Sequence, residues 1–224
     1  MKKQAGFTLV EIAIVLVIIG LLLGGVLKGQ ELINSAKVKN FANDFRGVST
    51  FVYAYQDRFR ALPGDDSRSA TNLPGAPAAA TKPAGKLANA RINGEWKSTD
   101  IAEETVLFWQ HVRLAGLATG TPTPSATATD PYYPRNADGG RIGITGDPVI
   151  TGAVGWTANF FICSSGIQGR FARQLDTTMD DGNTSTGTVR VLGDATGGEL
   201  ATAAAAYSVL PADDAVLFTV CVAS

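Results

Sequence analysis

Of the 20 acidic side chains in this sequence, one stands where a carboxylate is costly: Glu11 is the only ionisable residue between Phe7 and Leu27. As a helix, that run of 21 residues measures about 31 Å, the thickness of a bilayer's hydrocarbon core. A lone carboxylate there needs a positive or hydrogen-bonding partner, which marks it as functional. Cys163 and Cys221 are the only cysteines. They form either one disulfide, favoured if this part of the chain is exported, or two buried thiols. Asp176, Asp180, Asp181 and Asn183 place several oxygens around Gly182. That set suits Ca²⁺, but also a plain turn between a helix and a strand, and its spacing fits no EF-hand loop. Asp65-Asp66 and Asp213-Asp214 are weaker candidates of the same kind. Apart from that calcium candidate, no cofactor or metal site is expected.

The remaining chemistry is sparse. His111 is the only histidine and falls in a helical pattern, so it reads as a packing or solvent-facing residue. With two isolated cysteines it makes no zinc pattern. The sequence holds no G-x-S-x-G elbow, P-loop or H-E-x-x-H motif, so no enzyme is expected. A net charge of −1 and the lack of a dense basic run give no indication of nucleic-acid binding.

The flanks of the apolar run set its orientation. Lys2 and Lys3 precede it and no acidic residue does, which keeps the N-terminus cytoplasmic and exports the rest. A secretory signal has a shorter core followed by a small-residue cleavage site. Here Lys28, Gly29, Gln30 and Glu31 follow, and the small residue, Gly6, comes before the run. Cleavage after Gly6 would remove six residues and leave the apolar helix on the product.

The stretch MKKQAG-FTLVEIAIVLVIIG resembles the start of a type IV prepilin, in the superfamily of type IV pilins and type II secretion pseudopilins. The resemblance is strong only over roughly the first 60 residues. It implies cleavage between Gly6 and Phe7 by a membrane prepilin peptidase, N-methylation of Phe7, and pairing of Glu11 with a Phe7 α-amine during assembly. Physical chemistry supports that pair, because opposite charges attract strongly in low dielectric and a carboxylate suits the positive end of a helix dipole. The resemblance further implies a single-pass precursor in the bacterial inner membrane. An assembly machine would then polymerise it into a homopolymeric filament, extracellular or periplasmic. The expected role is a structural subunit of a type IV pilus, serving adhesion, motility or DNA uptake; the alternative is a type II secretion pseudopilin. The sequence departs from many major pilins in having Lys28 where they carry a helix-breaking proline, leaving Gly20, Gly24 and Gly25 as the weak points of the helix.

The elements that position these residues read as α+β: a long N-terminal helical spine packed on a small antiparallel sheet. Residues 1–6 form the leader and 7–27 the membrane or filament-core helix. Residues 28–62 continue that helix amphipathically, and 63–224 form the head. Val38, Phe41, Phe45, Val48, Val52, Tyr55, Phe59 and Leu62 recur at steps of three and four, placing them on one stripe facing the sheet. Pro63 closes a helix running from Phe7 to Arg60. The Pro- and Ala-rich stretch 63–90 reads as a linker that buries nothing, and Thr119 to Pro131 as an exposed loop. Asp100 and Glu103 read as a capping box opening a second helix that Gly116 or Gly120 ends. A short helix is predicted at Phe171 to Asp176. Strands are predicted at Arg141–Thr145, Val154–Cys163, Val189–Leu192 and Ala215–Val222.

Overall fold

A computed structural model describes residues 8–75, 88–152 and 156–224. Its first element, α1, spans Leu9–Phe59, 51 residues or about 76 Å of helix. Thr8 caps its start, and Arg60, in the left-handed conformation, donates its N–H to the Gln56 carbonyl at its end. Four residues later Gly64 adopts φ +94°, where a Cβ would lie 2.4 Å from the Glu104 carbonyl. Only glycine fits that reversal against the next helix.

The two halves of α1 differ as their sequences dictate. From Leu9 to Leu27 every side chain is exposed. Further on, Val38, Phe41, Ala42, Phe45, Val48, Val52 and Tyr55 are buried, on the expected stripe, with Phe59 and Leu62 at its half-buried end. The stripe meets more than a sheet. A second helix, α4 (Gly169–Met179), lies against it together with one strand. Phe41 packs on Phe171 with ring centroids 6.2 Å apart, and Lys37 sits 5.5 Å over the Phe171 ring. The predicted helix at Phe171 to Asp176 is longer than expected and amphipathic, so it competes with the sheet for the apolar face of α1.

The sheet has four strands: β1 (Ile142–Thr145), β2 (Phe161–Gln168), β3 (Val189–Leu192) and β4 (Leu217–Ala223). Their order is β1-β2-β4-β3, and every pairing is antiparallel. The predicted strand over Val154–Cys163 is displaced along the chain. Val154 lies outside the described residues, Trp156 sits in a loop with its ring 4.7 Å from that of Phe161, and the strand continues through Ser164, Ser165 and Gly166. Those residue types usually end a strand. Here Gly166, at φ +69°, takes up a register shift between Ser164 and Ile167, as a bulge does.

Two further expectations are corrected. The helix α3 spans Glu104–Leu114 and its N-cap, Glu103, makes no side-chain cap bond. Asp100 instead accepts the Ala102 N–H at 3.1 Å, closing a local turn ahead of the helix, a role that competes with capping. Nor is the stretch after Pro63 free of buried groups. A one-turn helix, α2 (Ser69–Asn72), precedes Leu73, which is buried with Tyr55 and Ala115. Asp66 is buried too, accepting hydrogen bonds from Tyr55 Oη at 2.8 Å and Asn72 Nδ2 at 2.9 Å. Residues 76–87 of that stretch lie outside the described residues.

Candidate functional site

The site with the strongest sequence signal is the start of α1. Gly6 and Phe7 lie outside the described residues, but Thr8 and Glu11 are in place. Thr8 donates to Glu11 Oε2 from its backbone N–H and from Oγ1, each at 2.8 Å. Glu11 N–H returns a bond to Thr8 Oγ1 at 3.3 Å. This is a reciprocal capping box, worth about 1 kcal/mol to the helix start. Sequence reasoning singled out Glu11 and missed Thr8, although Thr8-x-x-Glu11 carries the T-x-x-E signature. The box holds one carboxylate oxygen near the helix N-terminus and leaves the other free of bonds among the described residues.

Beyond Glu11 the arm is apolar all round. It contains a window of mean hydropathy 2.8 with none of its residues buried, and Leu9 is 90% exposed. So large a bare apolar surface requires lipid or other apolar helices around it. Gly20, Gly24 and Gly25 have nothing within 4 Å, leaving flat places for close helix approach. The arm ends at the exposed Lys28–Glu31 pair, 2.7 Å apart, which marks the polar border but contributes little stability.

The other candidates sit in the head. Cys163 and Cys221 form a disulfide directly across β2 and β4, in register and fully buried. His111 is buried, and its Nδ1 accepts the Gly64 N–H at 2.9 Å, which leaves the proton on Nε2. Burial lowers its pKa to about 4, against an opposing pull from Asp66, and its ring stacks 6.2 Å from Tyr55. Its surroundings make it a packing residue, as the sequence suggested. Asp65 and Asp213 are held by the chain's own donors, among them Ala90 N–H at 2.7 Å and Tyr207 Oη at 2.9 Å. Asp176, Asp180 and Asp181 do come together, with carboxylate oxygens within 4.8 Å of one another.

Comparison with curated proteins and with solved structures finds no match. The family model for the prokaryotic N-terminal methylation motif matches residues 1–27. That segment holds Thr8, Glu11 and the whole of the bare apolar stretch, so this pilin-like α+β chain carries the prepilin signature of the type IV pilins and pseudopilins.

Proposed function

We propose that the chain is a structural subunit of a type IV pilus-type filament. A prepilin peptidase cuts it between Gly6 and Phe7, Phe7 is N-methylated, and α1 then polymerises with Glu11 neutralising a Phe7 α-amine. One observation carries this reading: an exposed apolar helix whose single carboxylate is oriented by a cap and keeps one oxygen open. Before assembly the bilayer covers the arm; afterwards neighbouring arms cover it. Lipid and helix bundle are similarly apolar, so hydrophobicity alone does not fix the axial register. A charge pair does, because attraction at close range in low dielectric far exceeds its value in water.

The alternative is a pseudopilin of a type II secretion machine. It uses the same residues, and the unbroken course of α1 through Lys28, where many major pilins carry proline, favours it. Intact mass tests both. A chain beginning at Phe7 with one added methyl, abundant in sheared surface filaments, supports the pilus. The same chain confined to the envelope supports the pseudopilin. A chain still beginning at Met1 overturns both.

A further inference from the structure

At the far end of the spine lies a cavity of about 580 Å³, within the usual range of small-ligand sites. It forms where the last turns of α1, the chain after Pro63, the loop at Ala88 to Ile92 and the approach to β2 meet. Ile92 and Phe160, both buried, supply apolar lining. Tyr53 lines it from α1 and is 56% exposed; its ring stands 6.2 Å from that of Phe160, tilted by 60°. Arg60 and Arg68 line it too, and Arg68 Nη2 donates to the Phe59 carbonyl at 3.1 Å, next along the chain from Arg60. Among the described residues no carboxylate forms an ion pair with Arg68. Arg60 meets Asp57 at 3.8 Å with both side chains exposed, a pair of little strength. The carboxylates of the wall are already occupied. Asp66 accepts from Tyr55 Oη, Asn72 Nδ2 and the Arg68 N–H, and Asp65 accepts the N–H groups of Asn89 and Ala90. The backbone of the same wall is strained. Arg60, Ala88 and Ala90 are the non-glycine residues with positive φ among those described, at 56°, 52° and 60°, and all three line this cavity. Residues held in that region gather where a fold clamps a ligand.

We propose that this cavity binds a small aromatic carboxylate. The ring enters beside Tyr53 and Phe160, where offset or edge-to-face contacts with both rings are open to it, and covers Ile92. The carboxylate meets Arg60 and Arg68, whose planar guanidinium groups match two carboxylate oxygens at once. Each half of the ligand answers one half of the lining. An inorganic anion would leave the aromatic wall bare, a cation would face two guanidinium groups, and an uncharged ring would leave those groups to water. A bound ligand touches Tyr53 and Gln56 of α1 and Asn159 and Phe160 ahead of β2, so it ties the end of the spine to the head. The site is complete within one chain. It therefore goes beyond the filament role and operates whether the chain forms a pilus, a pseudopilus or neither.

The test is equilibrium dialysis of the full chain in detergent against phenylpropionate, with detergent alone as the blank. One saturable site per chain is expected, with Kd on the order of 0.1–1 mM for so small a ligand, and a Tm that rises with ligand concentration. Phenylpropanol, which keeps the ring, and acetate, which keeps the charge, should each bind at least about 10-fold more weakly. Arg60→Gln should keep the ligand-free Tm, since Arg60 caps α1 through its backbone N–H, and should weaken binding at least about 10-fold. Arg68→Gln should weaken it similarly. Arg46→Gln, exposed on α1 and outside the cavity, should bind as the wild type does. No saturable binding up to about 10 mM phenylpropionate, well above the expected Kd, would overturn the proposal. So would equal binding of phenylpropanol, or undiminished binding in both Arg60→Gln and Arg68→Gln.

Discussion

Thr8 places both of its donors on the same oxygen of Glu11, each at 2.8 Å. That arrangement fixes the carboxylate against the first turn of α1 through one oxygen, so under the proposed role the charge is oriented before any partner arrives. Thr8→Val removes the hydroxyl from both sides of the box and costs about 1 kcal/mol at the helix start. We expect leader removal to proceed and filament incorporation to drop, with Thr8→Ser restoring it. Quantifying processed chain in membranes against chain in sheared filaments reads both steps. Wild-type incorporation of Thr8→Val would separate the cap from assembly.

Glu11→Ala probes the charge itself. The variant should be processed normally and fail to enter filaments, because the Phe7 amine would be buried without a counter-charge. Filament yield measured beside the processed fraction decides it; wild-type yield would refute charge pairing.

Where α1 joins the head, Phe41 and Phe171 are each about 1% exposed. Phe171→Ala removes the ring that α4 offers to the stripe, at a cost of about 3–5 kcal/mol. Thermal unfolding of the detergent-solubilised chain should show a large fall in Tm. A fall no greater than that of a surface substitution would mean that α4 is not what holds the spine.

The parts of this molecule that were legible in its sequence are those that a period or a charge announces. The apolar run, its single carboxylate and the stripe from Val38 to Tyr55 depend only on helical repeat and hydrophobicity, and they stand where expected. Val189–Leu192 was legible for a similar reason, being a short β-branched run between turns. What escaped depends on contacts distant in sequence. Nothing near Phe171 says that its helix will pack against the spine beside the sheet. Ser164-Ser165-Gly166 looks like a turn until β4 pairs across it and Gly166 absorbs the bulge. Asp100 had the right spacing from Glu103 for a cap, but its carboxylate closed a nearer turn first. At the start of α1 the sequence reading passed over Thr8, whose T-x-x-E signature with Glu11 was present.

The disulfide links Cys163 to Cys221, 58 residues apart in sequence. Closing such a loop reduces unfolded-state entropy by an amount worth about 4 kcal/mol in the chain-entropy model. Replacing both cysteines by alanine should lower the urea midpoint accordingly while the spine remains helical. Both sulfurs are buried, so thiol reagents with reductant should label the wild-type chain only once denaturant opens the sheet. Rapid labelling of the native chain would contradict the buried cross-strand position.

His111 gives the head a defined acid response. Its folded pKa is about 4, below the ordinary value near 6.5, because protonation would place a charge among Tyr55, Gly64 and α3. The unfolded chain takes up that proton first. The stability contributed by the neutral ring is therefore complete above about pH 6.5 and is lost as pH falls toward 4, by up to about 3 kcal/mol. Asp44 and Asp176 act with the opposite sign. Burial pushes each to about 6, so their ionisation weakens the fold as pH rises from about 4 to 6, and the wild-type profile is flattened. The difference between wild type and His111→Gln isolates the histidine, since Gln can still accept the Gly64 N–H and does not titrate. Urea unfolding from pH 7 to 4.5 should show the wild type losing stability relative to the variant as pH falls. Parallel profiles would mean that His111 titrates alike in the folded and unfolded chains.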